Sequence, residues 1–261
     1  MSSIKPIIVY GEFITPNPHK IRIILEELNI PYENDVVEVR EVKGERFINI
    51  NPNGRLPAIY DPNTDVTLWE SAAIITYLID QYDTQHRLSY ASSPEKYEIQ
   101  QWNAFQVSGQ GPYYGQAVHF SGFHPDKVPI AINRYDKEID RVRSVLNLHL
   151  TRKAAAAGSS PTETWLVGDK LTVADLSWVM WEHVADFLFR LKGSDLNPPG
   201  KYPAYEAWIS RLYARPACKK AIDRRAEGFR KEGAIIAQFM RKDFLELDGA
   251  KAEMKTWEPV K

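Results

Sequence analysis

The stretch from Asn51 to Ser71, NPNGRLPAIYDPNTDVTLWES, limits what this chain can fold into more than any other. Pro57 stands near the head of a short apolar run, Leu56 to Tyr60. Proline has no N–H for a strand ladder, so it belongs at a strand start, an edge or a bend. Asp61-Pro62-Asn63 is a turn signal, and a second short run, Val66 to Trp69, follows it. The pattern is a hairpin that passes through Glu70-Ser71 directly into an apolar helical repeat. A cis bond before Pro57, which such a turn position permits, turns the main chain of Leu56 outward. Its N–H and C=O can then pair with a short extended peptide, as an added strand would. Ser71 is a good N-cap, the free N–H groups of the helix behind it attract a carboxylate, and Glu70 suits an ammonium. A zwitterionic amino-acid head group needs that pair.

The elements around this stretch follow from period and punctuation. Ile7 to Tyr10 reads as a strand, broken by Thr15-Pro16-Asn17-Pro18. His19 to Leu28 has helical spacing, with Ile21, Ile24, Leu25 and Leu28 on one face. Asn29-Ile30-Pro31 stops it. Tyr32 to Val39 alternates as a strand, with Val37 and Val39 on one side. Val42 to Ile50 is a charged connection with room for a helical turn, and a helix runs from Ala72 to near Tyr82. A parallel strand–helix–strand unit followed by a hairpin and a helix predicts a thioredoxin-like α/β domain over residues 1–84. Polar, turn-rich residues 85–93 form the linker. From residue 94 to 261 every pattern is helical, predicting an all-α helical bundle with an extra C-terminal tail.

Within that half, Glu95 to Phe120 reads as one long bent helix, interrupted by Gly109 and Gly111. Lys127 to Ala157 is a second long helix. Thr172-x-x-Asp175 is a capping-box start with aspartate in place of glutamate. The helix behind it, Val173 to Leu191, is apolar on most faces and therefore buried. Helices follow from Pro203 to Ala214 and from Pro216 onward. The tail, from Phe229, carries Ile235, Ile236, Phe239, Met240, Phe244 and Leu245 at helical spacing.

Bulk properties exclude several functions. The 261 residues carry a net charge of −1, which makes no electrostatic case for nucleic acid. Cys218 is the one cysteine, so an internal disulfide, a Cys-x-x-Cys redox pair and a cysteine zinc cluster are all excluded. No apolar run reaches the roughly eighteen residues of a membrane span, and the start is too weakly apolar for a signal peptide. A cytoplasmic protein with no membrane partner is the expectation.

The string NPNGRLPAI followed by WES resembles the glutathione site of the cytosolic glutathione transferases. QVSGQGPYYGQAVHFSGFH, Gln106 to His124, is similar to the fungal class named after the yeast nitrogen-catabolite regulator and prion protein. WLVGDKLTVADLSWV, Trp165 to Val179, is similar to the C-terminal-domain motif of the whole superfamily. The resemblance covers the chain to about Glu227. It implies the same thioredoxin-like fold and a homodimer, with Phe47 on the charged connection as a possible anchor. It also implies glutathione as co-substrate, no metal, and thiolate attack on a small hydrophobic electrophile.

A free thiol titrates near about 8.5, so donors beside the sulfur are needed to charge it at neutral pH. The tyrosine, serine and cysteine positions of other classes fall here on Gly11, Ile14 and Thr15. Asn17 is the remaining group; its NH2 can donate to a thiolate but cannot take the proton. Thr15 is the second candidate. Asparagine at this place also caps a helix well, and Pro18 stands where the family usually has glycine. In the resemblance Leu56, before Pro57, pairs with the cysteinyl main chain. Glu70 and Ser71 hold the γ-glutamyl head, and Arg55 assists. The family's histidine for the glycyl carboxylate falls on Val42, which leaves Lys43 as the cation. The electrophile is expected between the domains, near Tyr113, Tyr114, Gln116, His119 and Phe120. His119 and His124 have no matching carboxylates and are not expected to bind a metal. Three other outcomes are compatible with the same residues: a cis–trans isomerase of secondary metabolism, in which the thiolate adds and leaves; weak peroxidase activity, since a thiolate also attacks peroxides; and a regulatory binding protein without turnover.

Overall fold

A computed structural model describes residues 4–158, 160–194 and 198–259. Residues 1–3 and 260–261, the outer ends of the expected domains, lie outside the described residues. Four strands, β1 (Ile7–Tyr10), β2 (Tyr32–Asp35), β3 (Ala58–Asp61) and β4 (Val66–Trp69), form one sheet in the order β2-β1-β3-β4. β1 pairs parallel with β2, Ile7 facing Tyr32, while β3 runs antiparallel to both β1 and β4. Helices α1 (Pro16–Leu28) and α3 (Ser71–Tyr82) cover one face, and the short α2 (Glu45–Ile48) lies on the connection between β2 and β3. The thioredoxin-like arrangement is present.

The alternation of β1 explains its place. Ile7 and Val9 point into the core with Ile59, against Ile21, Ile24 and Leu25 of α1 and Ile74, Ile75 and Leu78 of α3. β2 is shorter than its alternation suggested. Its pairing ends where β1 ends, at Tyr10 and Asp35, and beyond that point the chain has no partner strand. Val37 is buried, whereas Val39 is 59% exposed and begins a 3-10 turn. Phe47 is 1% exposed and packs with Val37 and Ala58 in a second, smaller apolar cluster. It is therefore not a surface anchor for a second copy.

Helix α1 has little contact with water. Pro18 through Leu25 are all buried, including His19, Lys20 and Arg22. Its inner side meets the sheet and α3, and its outer side meets the helical half.

That half begins with α4 (Glu95–Phe105), a π-turn at Gln106–Gln110, α5 (Gly111–Val118) and a second π-turn at His119–Phe123. The single long helix expected here is thus two helices and two widened turns. Glycine at 109 is required by close approach: a Cβ there would come within 2.6 Å of the Phe105 ring. α6 (Pro129–Ala157) returns along the bundle. α7 (Val173–Leu176) and α8 (Val179–Leu191) replace the continuous helix expected over this span. Ser177, at the break, bonds back to the Val173 carbonyl at 2.6 Å and to Asn103 at 3.0 Å. Such back-bonding bends a helix. α9 (Pro203–Tyr213), α10 (Pro216–Ala237), α11 (Lys242–Leu245) and α12 (Asp248–Met254) complete the chain.

The tail is folded onto the helical half. The Arg241 N–H donates to Gly122 O at 2.6 Å, and its guanidinium donates to the carbonyls of Phe120, Ser121 and Asp126. These are the free carbonyls of the second π-turn and its exit, a natural place for a cation. Gly249 lies against the Arg190 carbonyl at the end of α8, and Trp257 lies over Gly233 of α10.

Thr172 and Asp175 form the expected capping box. Asp175 is fully buried and does more than cap. One carboxylate oxygen accepts from Leu166 N and Trp208 Nε1, both at 2.9 Å; the other accepts from Thr172 N at 3.0 Å. Removing the carboxylate leaves these buried donors unpaired, at about 1–3 kcal/mol each. Asp175→Ala is expected to lower the unfolding free energy by on the order of 3 kcal/mol or more. Urea denaturation reads this as a lower midpoint at constant slope, and Asp175→Asn, which keeps one acceptor, loses less.

Candidate functional site

The site is built where α1, the turn before β3 and the start of α3 meet. Asn51 shapes the turn: its amide donates to Arg55 O at 2.6 Å and its carbonyl accepts from Asn53 N at 2.9 Å. Gly54, at φ +59°, lies against Lys43, whose ammonium donates to Asn53 O at 2.8 Å. The Arg55 side chain is exposed. The Leu56–Pro57 bond is cis. Among the described residues nothing pairs with the N–H or the C=O of Leu56, which is half-buried beside the sheet.

Glu70 and Ser71 differ from the simple capping reading. Glu70 is the N-cap position of α3, with φ 68° and ψ 113°, and Ser71 is the first helical residue. No side chain caps this helix. A non-glycine residue at such a φ costs on the order of 1–3 kcal/mol and is found where surrounding structure holds it. Here the strain places an exposed carboxylate at the head of α3, touched by the Asn53 amide at 3.2 Å.

Ser71 Oγ does not cap; it accepts from Lys20 Nζ at 2.9 Å. Lys20 is 2% exposed. Burial pulls its pKa down to about 7, and the Glu70 charge opposes this only partly. Its second acceptor is Gln106 Oε1 at 2.7 Å, on the first π-turn. From there the amides run inward: Gln106 donates to Gln110, and Gln110 donates to Glu182 at 2.9 Å. Glu182 is fully buried and also accepts from Tyr114, Arg143 and Tyr205. A continuous polar chain therefore joins Ser71 to the interior of the helical half.

The loop before α1 is held from three sides. Both Glu12 carboxylate oxygens accept main-chain N–H groups, from Ile14 and Thr15. Arg22 donates to the carbonyls of Gly11 and Glu12, and Arg225 of α10 donates to Ile14 O at 2.9 Å. Thr15 is the N-cap of α1, but its hydroxyl oxygen is buried and has no partner. Asn17 does not cap the helix either. Its Oδ1 accepts from Trp181 Nε1 of α8 at 2.9 Å.

The expected electrophile residues are not brought to Asn17 as a group. Tyr114 is fully buried, with its hydroxyl on Glu182, so it belongs to the helical interior. Tyr113 and Phe120 pack on Tyr135 of α6, with ring centroids at 6.3 and 5.6 Å. At 100° per residue Tyr113 lies about half a turn round α5 from Gly111 and Gly115, which face Trp181, while Phe120 stands on the π-turn beyond that helix. His119 and Gln116 are exposed. His119 packs edge-on to His124, and no group of metal-ligating residues occurs among the described residues.

An apolar cavity of about 60 Å³ begins one helical turn beyond Trp181 and Gly115, at Val184 and Val118. Phe187, Phe229, Met240 and Phe244 close it, the last three from the tail. A larger cavity of about 240 Å³ lies between α3 and α4, lined by Asp83, His86, Tyr90 and Lys96 among others. It shares no residue with the loop or turn described above.

Comparison with known proteins finds relatives along most of the chain. The N-terminal domain model of the glutathione S-transferases matches residues 15–81, and the C-terminal domain model matches residues 114–216. The glutathione S-transferase-like protein tpcF of Aspergillus fumigatus is 47% identical over 224 residues, 85% of this chain and 97% of that protein. The chain belongs to the glutathione S-transferase family. Among solved structures, the glutathione transferase URE2P6 of Phanerochaete chrysosporium, in complex with oxidized glutathione, is 41% identical with a TM-score of 0.75, covering 87% of this chain and 100% of its own. Ure2p5 of the same fungus, cocrystallized with 1-(S-glutathionyl)-2,4-dinitrobenzene, is 35% identical with a TM-score of 0.75, covering 87% and 98%. The likeness to the fungal class named after the yeast regulator holds in structure as in sequence.

Sequence reasoning missed Lys20, Gln106, Trp181 and Arg225. Each lies in a helix or helical turn and reaches across a tertiary interface, where periodicity reports only a face. No linear signal marks Lys20: its burial arises because the sheet, α3 and the helical half close on α1 from all sides.

His19 anchors the same loop, its Nε2–H donating to Phe13 O at 2.8 Å. Burial, then the Arg22 charge, pull its pKa down to about 3; burial, then Arg225, do the same to His183 of α8, also to about 3. In the unfolded chain both titrate near about 6.5. As pH falls below that value the unfolded state takes protons that the fold refuses. Stability is thus complete above about pH 6.5 and falls by about 1.4 kcal/mol per pH unit per histidine toward the folded value. Urea midpoints between about pH 6.5 and pH 5, above the ordinary carboxylate range, are expected to drop steeply, and replacing His183 by a neutral amide flattens the slope.

Proposed function

We propose that this chain binds glutathione along the main chain of Leu56 and uses its thiolate against a small apolar organic electrophile. One observation carries the reading: the unpaired N–H and C=O of Leu56 lie in the same site as a buried amine, Lys20 behind Ser71, and an exposed carboxylate, Glu70. An extended peptide with a zwitterionic head supplies the complement of all three. The cysteinyl unit pairs with Leu56. The γ-glutamyl carboxylate lies at Ser71 and the head of α3, over the Lys20 ammonium, and the amino group meets Glu70. Lys43, steadied on Asn53, is the cation nearest the glycyl end, and Arg55 lines the same turn.

The sulfur then falls toward the loop before α1. Asn17 donates an N–H to it, and Thr15, with an unpaired hydroxyl, is a second donor. Neither can accept the thiol proton, which leaves to water. The thiolate forms a C–S bond with the electrophile, and the displaced group departs with the bonding pair. The apolar cavity along α5 and α8 is the place for the apolar part of the acceptor. At about 60 Å³ it is smaller than the roughly 150 Å³ that holds benzene, so a ring enters only as Met240 and the tail move.

Calorimetry is expected to detect glutathione uptake at millimolar concentration; no uptake would falsify the reading. Lys20→Met is expected to weaken binding by about tenfold or more, since about 1.4 kcal/mol is a factor of ten. Asn17→Ala is expected to keep most of the affinity and to lower kcat/KM toward 1-chloro-2,4-dinitrobenzene by about tenfold to a hundredfold, the range of one charge-assisted hydrogen bond. Transfer consumes one thiol per product. Conversion of a cis alkene without thiol loss would move the reaction to isomerisation.

A further inference from the structure

The Asn17 carboxamide has two faces, and only one of them helps a thiolate. Its NH2 donates to an anion, whereas its Oδ1, carrying partial negative charge, repels one. On an unconstrained side chain the two exchange by a half-turn of the amide. In this fold they are told apart by Trp181. The indole Nε1–H, which can only donate, points at Oδ1 from 2.9 Å. Among the described residues no acceptor takes Nδ2 of Asn17, which stays unpaired on a half-buried residue.

The indole is itself held in a slot. A Cβ at Gly111 would lie 3.5 Å from Trp181 Nε1, and one at Gly115 would lie 3.4 Å from its far edge. Two glycines one turn apart on α5 leave the width of an aromatic ring between that helix and α1. The slot directs the N–H of a residue on α8 to a side chain 164 positions earlier in the chain.

We propose that Trp181 is a positioning residue for the glutathione thiol: by occupying Oδ1 of Asn17, its indole N–H presents the Asn17 amide N–H to the sulfur. The inference rests on the glutathione reading above and adds a residue in the helical half that tunes the thiol without touching it. The hydrogen bond also ties thiol activation to the seating of α8 against α1.

The test is a double-mutant cycle on the full chain, with Asn17→Ala, Trp181→Phe and both together. The readouts are the pKa of the bound thiol, from the ultraviolet absorbance of its thiolate, and the Kd of S-methylglutathione, which has no thiol. Trp181→Phe is expected to raise the bound thiol pKa by about one unit, the lower end of a charge-assisted hydrogen bond, with the S-methylglutathione Kd unchanged. In the Asn17→Ala background the same substitution is expected to add nothing. If Trp181→Phe does not fold, benzothienylalanine at position 181 keeps the shape and removes only the donor, and the same shift is expected. An unmoved thiol pKa with intact binding overturns the inference alone, as does an equal shift with and without Asn17. Failure of the unsubstituted chain to bind S-methylglutathione overturns the glutathione reading, and this inference with it.

Discussion

The site depends on the burial of one helix on nearly every side. α1 is roofed by the sheet and α3 on one side and by α8 and α10 on the other, and Pro18 through Leu25 see almost no water. A helix in that position cannot carry polar groups idly, because an unpaired buried donor or charge costs more than its bond returns. Each polar side chain in this run of α1 therefore reaches a fixed partner. His19 and Arg22 hold the carbonyls of the loop before it, Lys20 joins Ser71 to Gln106, and Asn17, at its open end, meets Trp181. The geometry of the loop, the head of α3 and the first turn of α1 is thus set by one packing event.

The same event makes the two halves of the chain interdependent. The polar chain from Ser71 through Lys20, Gln106 and Gln110 ends on Glu182, where four donors converge on one buried carboxylate. Removing a single link leaves its neighbours desolvated and unpaired. Such a chain fixes the relative positions of its members. It fixes the height of Lys20 against the start of α3, and so fixes where its amine stands relative to Glu70. The tail adds a second dependence. Arg241 binds the carbonyls at the end of the second π-turn, and Met240 and Phe244 then close the apolar cavity that begins at Val118 and Val184. That cavity is bounded by residues that come last in the chain.

Much of this was legible without coordinates, and the limits have a common cause. The hairpin, the turn at Asp61-Pro62-Asn63, the cis position before Pro57 and the capping box at Thr172 are local, because turn residues and caps act on their own backbone. The strings NPNGRLPAI and WES put Leu56 at the cis bond and Glu70-Ser71 at the head of α3 for the same reason. Errors arose where a residue's role depends on what faces it. Tyr113, Tyr114 and Phe120 looked like a lining because the segment is aromatic and glycine-flanked. The π-turns and the seating of α5 against α6 and α8 instead put Tyr114 on Glu182 in the interior and Tyr113 and Phe120 against Tyr135. Phe47 looked exposed on a charged connection, yet the apolar cluster with Val37 and Ala58 takes it in. Ser71 looked like a cap, and a buried lysine claimed its hydroxyl.

The sequence by itself determined the order of elements, the turn that exposes the main chain of Leu56, and the acid–serine pair at the start of α3. Each depends on backbone chemistry within a few residues, which a linear pattern records. Only the tertiary structure decided that Lys20 stands behind Ser71, that Trp181 orients Asn17, and that the tail bounds the apolar cavity. Those relations join residues 51, 164 and more than 100 positions apart. A hydrogen bond across such a separation is set by how whole helices seat against one another, and no local pattern encodes that.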